Sequence, residues 1–277
     1  MDLQKLHQEL LQPPEYLGVI RDFWGLRPQF QIHWLQETES TNQTLAALMA
    51  NGCPSGTVVI AAAQRAGRGQ WGRQWQSDPG GLYLSLGLTP SIPPNRSSYL
   101  TLASAWGVAT SLANLGVPTR VKWPNDIVVG GKKLGGVLAE ARMVGSLVEK
   151  VIIGLGLNCF NPVPVTGVSL QQILDSQSSH SSLQTLEGIA AVVLYGLVQG
   201  YFLWQTQGDS AFLAAYQSSM ANLGQTVILN GHRAKVIGVS TSGNLQLEPD
   251  SWSVPNSTPN SAILEVSPGK VTLGYNT

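Results

Sequence analysis

Near residue 222 the sequence changes pattern, and this change constrains the fold more than any single motif. Upstream, apolar runs of strand character alternate with stretches of helical period; downstream, helical period disappears. There the short runs TVILN (226–230), AKVIGVS (234–240), LQLEP (245–249), AILEV (262–266) and KVTLG (270–274) are separated by Gly, Asn and Pro turns. Such spacing predicts a small barrel of some 50 residues. The upstream part reads as an α/β unit. Strands are expected at 32–36, 57–63, 81–88, 119–123, 127–129, 134–142 and 148–158, and helices near 42–50, at 99–115 and over 183–221, the last as one or two pieces. Gly116 stands where a left-handed cap closes a helix, and Gly130-Gly131 where a hairpin turns. Residues 161–182, rich in Pro, Ser and Gln, read as loop with one short helix. Residues 1–31, with a short helix and the break Pro13-Pro14, read as a leader. The expected division is therefore 1–31, 32–222 and 223–277.

Composition narrows the class. The 277 residues hold 16 Lys+Arg against 16 Asp+Glu, and charged residues make up 12%, about half the usual share. A neutral chain without a basic arm is not expected to bind DNA or RNA electrostatically. Hydrophobic residues at 43% with eight Trp exclude a mostly disordered chain. Cys53 and Cys159 form neither a CxxC pair nor a His/Cys cluster, so no disulfide framework or structural zinc site is expected. The run Ile189–Trp204 is 16 residues long and interrupted by Gly196, Gln199 and Gly200. That is short of the ~20 residues needed to span a bilayer, so a buried helix is expected rather than a membrane anchor. The N-terminus lacks a signal-peptide core, and a cytoplasmic location is expected.

Three segments carry chemistry. The first is GRGQWGRQW, 67–75: its glycines let backbone N–H groups approach a ligand, and Arg68 and Arg73 can fork onto carboxylate or phosphate. It is not a P-loop, and a mobile surface turn with solvated arginines would look the same. The second is VKWPNDIVVGGKKLGGVLAE, 121–140. Lys133 before Gly135-Gly136 can project an ammonium into a cleft, although Lys132-Lys133 could also merely solubilise a turn. The third is IIGLGLN, 152–158. Gly154 and Gly156 clear one face of a strand, either for a flat ligand or for tight packing, and Asn158 offers a donor and an acceptor.

Taken together and in order, Ser40-Thr41-Asn42, Gln64, GRGxxGRxW, KWPND, the Lys133 turn and GLGLN resemble the bacterial biotin–protein ligase family over about residues 32–275. The resemblance implies a mixed-sheet catalytic domain of the biotin/lipoyl ligase type followed by an SH3-like β-barrel. It also implies ATP-dependent ligation of biotin, through biotinyl-5′-AMP, to a lysine of the biotin carboxyl carrier protein of acetyl-CoA carboxylase. Carried onto this chain, the biotin site comprises Ser40, Thr41, Asn42, Gln64, Arg68, Gly69, Gln70, Lys133, Gly135 and Gly136, with Asn42 supporting the helix start. Arg73, Trp75, Asn125, Lys133 and Asn158 would serve ATP: Arg73 the pyrophosphate, Trp75 and Asn158 the adenine, Asn125 the triphosphate or Mg²⁺. Arg68 and Lys133 would meet the carboxylate and α-phosphate, and Asp126 would hold Mg²⁺ or help deprotonate the acceptor lysine; these three form the catalytic set.

Two departures bear on these expectations. Many members have GRGR where this chain has Gln70 followed by Trp71, so Trp71 is expected to cover the site and exclude water in place of the second Arg. Only about 31 residues precede the core, so a dedicated ligase without a DNA-binding domain is expected, as a monomer or homodimer. The alternatives are a lipoate or octanoate ligase or transferase on the same fold, or a catalytically silent binding module.

Overall fold

The computed structural model describes residues 1–175, 181–250, 263–271 and 273–275. In chain order the elements of the larger unit are α1 (Leu3–Leu10), β1 (Gln31–Leu35), α2 (Thr41–Ala50), β2 (Thr57–Ala61), β3 (Leu82–Leu88), α3 (Ser98–Asn114), β4 (Arg120–Lys122), β5 (Asp126–Val129), β6 (Lys132–Val144), β7 (Leu147–Leu157), α4 (Leu170–Leu174) and α5 (Leu186–Ser218). The strands form one seven-stranded sheet ordered β1-β2-β3-β7-β6-β5-β4. Its β1–β2 pair, joined through α2, is parallel, and the other pairs are antiparallel. The sheet is therefore mixed, as the family resemblance implies. Gly130 and Gly131, both at positive φ (58° and 80°), make the two-residue turn from β5 to β6, the conformation a tight hairpin requires.

The core lies between the sheet and the pair α3–α5. Nearly every residue of α3 from Tyr99 to Leu112 is buried, which explains a helix with little polar face. α5 is long and apolar enough to cross a membrane by length and composition, but 72% of its apolar window is buried inside the protein, in line with the buried helix expected. The two helices touch backbone to backbone. A Cβ on Gly107 would lie 2.0 Å from the Gly196 carbonyl oxygen, and one on Gly200 would lie 2.0 Å from that of Ala103. α5 is interrupted at Gly208 (φ 78°, ψ 177°), so the 183–221 helix is two pieces end to end.

The N-terminal segment packs over the core, with Leu6, Leu17, Val19 and Phe23 belonging to the main cluster. Gln199, fully buried in α5, accepts a bond from the Ile20 N–H (3.0 Å). Its amide nitrogen donates to the Gly107 carbonyl (3.2 Å) and to Ser111 Oγ (2.6 Å). The polar interruption in the apolar run thus ties the N-terminal segment to α3, beside the Asn114 amide of α3, which donates to the Gly18 carbonyl (2.9 Å).

The smaller unit holds β8 (Thr226–Leu229), β9 (His232–Val239), β10 (Leu245–Pro249) and β11 (Leu264–Val266) in an antiparallel sheet ordered β11-β10-β9-β8. The run 270–274 is not a strand among the described residues; it belongs to a tail that returns to the larger unit. The connection between the units zips onto the β4 edge, with Val121 N–H donating to Ser219 O (3.0 Å) and Ala221 N–H to Val121 O (2.7 Å). Cys53 and Cys159 are both free thiols.

Candidate active site

A cavity of about 330 Å³ opens on the larger unit between the start of α2, the Gly-rich loop, the beginnings of β5 and β6, and β7. Its fifth wall is unexpected: Gly269, Val271, Leu273, Gly274 and Tyr275 of the C-terminal tail line it too.

Part of the lining is neutral and polar. Gln64 Oε1 accepts from the Thr41 backbone N–H (2.9 Å) and Thr41 Oγ1 (3.2 Å), and its amide nitrogen donates to Ser77 Oγ (2.9 Å). Ser40 occupies the N-cap position of α2 but makes no capping bond. The expected role of Asn42 in starting that helix is corrected by the structure. Its side chain turns inward instead, with Oδ1 2.6 Å from Ser85 Oγ and Nδ2 donating to Glu140 (2.6 Å).

Another part of the lining is charged. Lys133 Nζ lies 2.6 Å from Asp126 Oδ1, and Arg68 makes an ion pair with Glu140 at 2.9 Å. Each of these cations therefore faces a carboxylate of the chain itself. Gly136 makes room for one of the pairs, since a Cβ there would meet Asp126 Oδ1 at 3.2 Å and Lys133 Cε at 3.3 Å. Lys122, buried at 7% exposure, donates to the Leu273 and Gly274 carbonyls and lies 3.3 Å from the centroid of the Tyr275 ring. Burial pushes its ammonium down to about 8, against the pull of Asp126 and with help from Lys133 and Arg73. The Tyr275 hydroxyl donates to Asp126 Oδ2. Burial, and then the charge of Asp126, push its phenol well up, so it stays a donor.

The glycines of β7 clear space for side chains of this chain. A Cβ at Gly154 would meet the Asn42 amide at 2.2 Å, and one at Gly156 the Trp75 indole at 2.4 Å. Trp75 lines the cavity, and its indole N–H is buried with no acceptor among the described residues. The Gly-rich loop is folded on itself, Gly69 N–H donating to Arg73 O (2.7 Å) and Trp75 N–H to Gly67 O (2.9 Å). Trp71, at φ 60° and 65% exposed, stands at the mouth with its ring against Gly269.

Ser40, Thr41, Asn42, Gln64, Arg68, Gly69, Gln70, Arg73, Trp75, Asn125, Asp126, Lys133 and Gly136 all line this one cavity. Gly135 and Asn158 do not. A Cβ on Gly135 would strike the Gly156 carbonyl at 2.9 Å, so this residue packs against β7. Asn158 donates to the Lys133 carbonyl (3.3 Å) and accepts from Asn161 (3.2 Å), which places it as a brace behind Lys133. The Asn125 amide donates to Val137 O (2.7 Å) and so ties the turn to β6. Asp126 is the sole carboxylate among the lining residues, and no group of three His, Cys, Asp or Glu occurs among the described residues. A Mg²⁺ here would use Asp126 together with oxygens of a bound nucleotide, an arrangement this ion commonly adopts.

Sequence reasoning missed Lys122, Glu140 and Tyr275. Lys122 lies within the KWPND motif and was at hand. Nothing local marks Tyr275, which reaches the site only because the chain returns from the smaller unit.

Comparison with known proteins assigns the chain to a family. The model of the Biotin/lipoate A/B protein ligase family matches residues 34–158. The bifunctional ligase/repressor BirA of Bacillus spizizenii is 34% identical over 216 residues, which is 76% of this chain and 66% of that protein, just under two thirds of its length. BirA of Salmonella typhimurium is 31% identical over 78% of this chain and 69% of its own. The biotin protein ligase of Aquifex aeolicus, solved in complex with biotin and ATP, superimposes with a TM-score of 0.70 at 26% identity. That match covers 89% of this chain and 99% of the other. The chain belongs to the biotin/lipoate protein ligase family and, within it, to the biotin–protein ligases.

Proposed function

We propose that the chain activates biotin with ATP as biotinyl-5′-AMP and transfers the biotinyl group to a lysine of the biotin carboxyl carrier protein of acetyl-CoA carboxylase. The observation that carries this reading is the make-up of the cavity lining, which brings neutral donors and acceptors at Thr41 and Gln64 together with two cations, Arg68 and Lys133. A ureido head suits the first set, and a carboxylate meeting a phosphate suits the second.

In the first half-reaction a carboxylate oxygen of biotin attacks the α-phosphorus and pyrophosphate leaves. Two anions must approach, so Arg68 and Lys133 must turn from Glu140 and Asp126 toward them. Fixed cations then offset the charge growing at phosphorus without solvent reorganisation. Arg73 would take the departing pyrophosphate and Trp75 the adenine, and both line the cavity. In the second half-reaction the acceptor amine attacks the acyl carbon, AMP leaves, and the amine proton passes to a base, the role assigned to Asp126. Mg²⁺ held by Asp126 would neutralise triphosphate charge.

The test is biotin-dependent exchange of labelled pyrophosphate into ATP, run beside lipoate and octanoate. Exchange with biotin alone is the expected result. Exchange with lipoate or octanoate would move the chain to the lipoyl side of the family, and no exchange with any acid would leave a binding module. Arg68→Gln and Lys133→Gln should each lower kcat of exchange by about a hundredfold, the size of effect expected when one charge-stabilising group is removed. Steady-state exchange rates check this.

A further inference from the structure

We infer that Tyr275 is a positioning residue that holds Asp126 in place when Lys133 leaves it for the reacting phosphate. The inference rests on the ligase reading above. Lys133 and Asp126 form an ion pair at 2.6 Å, with side-chain exposures of only 29% and 14%. A cation so paired serves an incoming phosphate only by leaving its carboxylate, and a buried carboxylate that loses its cation before another replaces it is costly. Asp126 would then keep competing for Lys133.

The chain supplies Asp126 with a second donor that carries no charge. The Tyr275 hydroxyl donates to Oδ2, the oxygen not facing Lys133. Tyr275 is itself fixed: Lys122 Nζ sits over its ring and donates to the carbonyls of Leu273 and Gly274, the two residues before it. The tail is thus latched to β4 while its phenol points at the first residue of β5. When Lys133 swings away, Asp126 keeps one hydrogen bond and its orientation. The tail that forms one wall thus contributes this donor to a site whose other polar side chains all come from the larger unit.

Tyr275→Phe removes one oxygen and keeps the ring under Lys122, so folding is preserved and a thermal melt verifies it. In biotin-dependent pyrophosphate exchange the variant should lose about tenfold or more in kcat, the fold-change that follows from losing one hydrogen bond to a charged group. Its KM for biotin should stay within about twofold, because Thr41 and Gln64 are untouched. Adding Tyr275→Phe to Asp126→Asn should cause no further loss, since Tyr275 acts only through that carboxylate. A wild-type kcat in Tyr275→Phe, or losses that simply multiply in the double variant, would overturn the inference while leaving the ligase reading intact. Absence of exchange in the wild-type chain would overturn both.

Discussion

A methyl group added at Gly156 would come within 2.4 Å of the Trp75 ring, so Gly156→Ala must displace the indole from the cavity wall. Weaker nucleotide binding is expected, by about tenfold if one stacking contact is lost, with biotin affinity unchanged; calorimetric titration with each ligand separates the two. The same scale shows what the sequence could say. That Arg68, Lys133, Thr41 and Gln64 share one cavity was legible only through the family resemblance of the motifs taken in order, since each motif alone left a solvated turn open. At Gly154 and Gly156 the residues left open whether a ligand or packing needed the space, and the neighbours turn out to be Asn42 and Trp75. Glu140 and Tyr275 were illegible because their roles come from partners 72 and 149 residues away.

At the scale of elements, the crossing of α3 and α5 depends on glycine at contact points where any side chain would strike backbone. Gly107→Ala drives a carbon toward the Gly196 carbonyl and should cost about 1–3 kcal/mol, typical of overpacking a rigid interface, read as a lower midpoint in urea. Gln199→Leu should cost about as much, because the Ile20 N–H is left buried without an acceptor. It should also expose residues 1–31 to proteolysis before the rest unfolds. The strands, the buried helix and the turn at Gly130-Gly131 were readable from period and glycine placement. Strand order was not, since pairing β3 with β7 and β1 with β2 depends on contacts across the whole sheet. The break at Gly208 was readable only as an ambiguity between one helix and two.

At the scale of the whole molecule, both ends of the chain are fastened to the central unit, the first by Gln199 and the last by Lys122. The second fastening has a pH signature. Between pH 8 and the ordinary lysine value of 10.5 the unfolded chain holds a proton at Lys122 that the folded chain has released. The folded state therefore gains stability from this residue as pH rises through that window, while below it the full cost of burying the charge is present. Relative to Lys122→Met, the wild type should gain on the order of 2 kcal/mol between pH 8 and 10, measured by urea melts at both pH values. The returning tail also carries a practical consequence for anyone handling the protein. Leu273, Gly274 and Tyr275 line the cavity, so a purification tag or reporter fused to this tail hangs from its wall. Such a fusion should depress turnover, whereas one placed ahead of Met1 joins a segment that contributes nothing to the cavity lining.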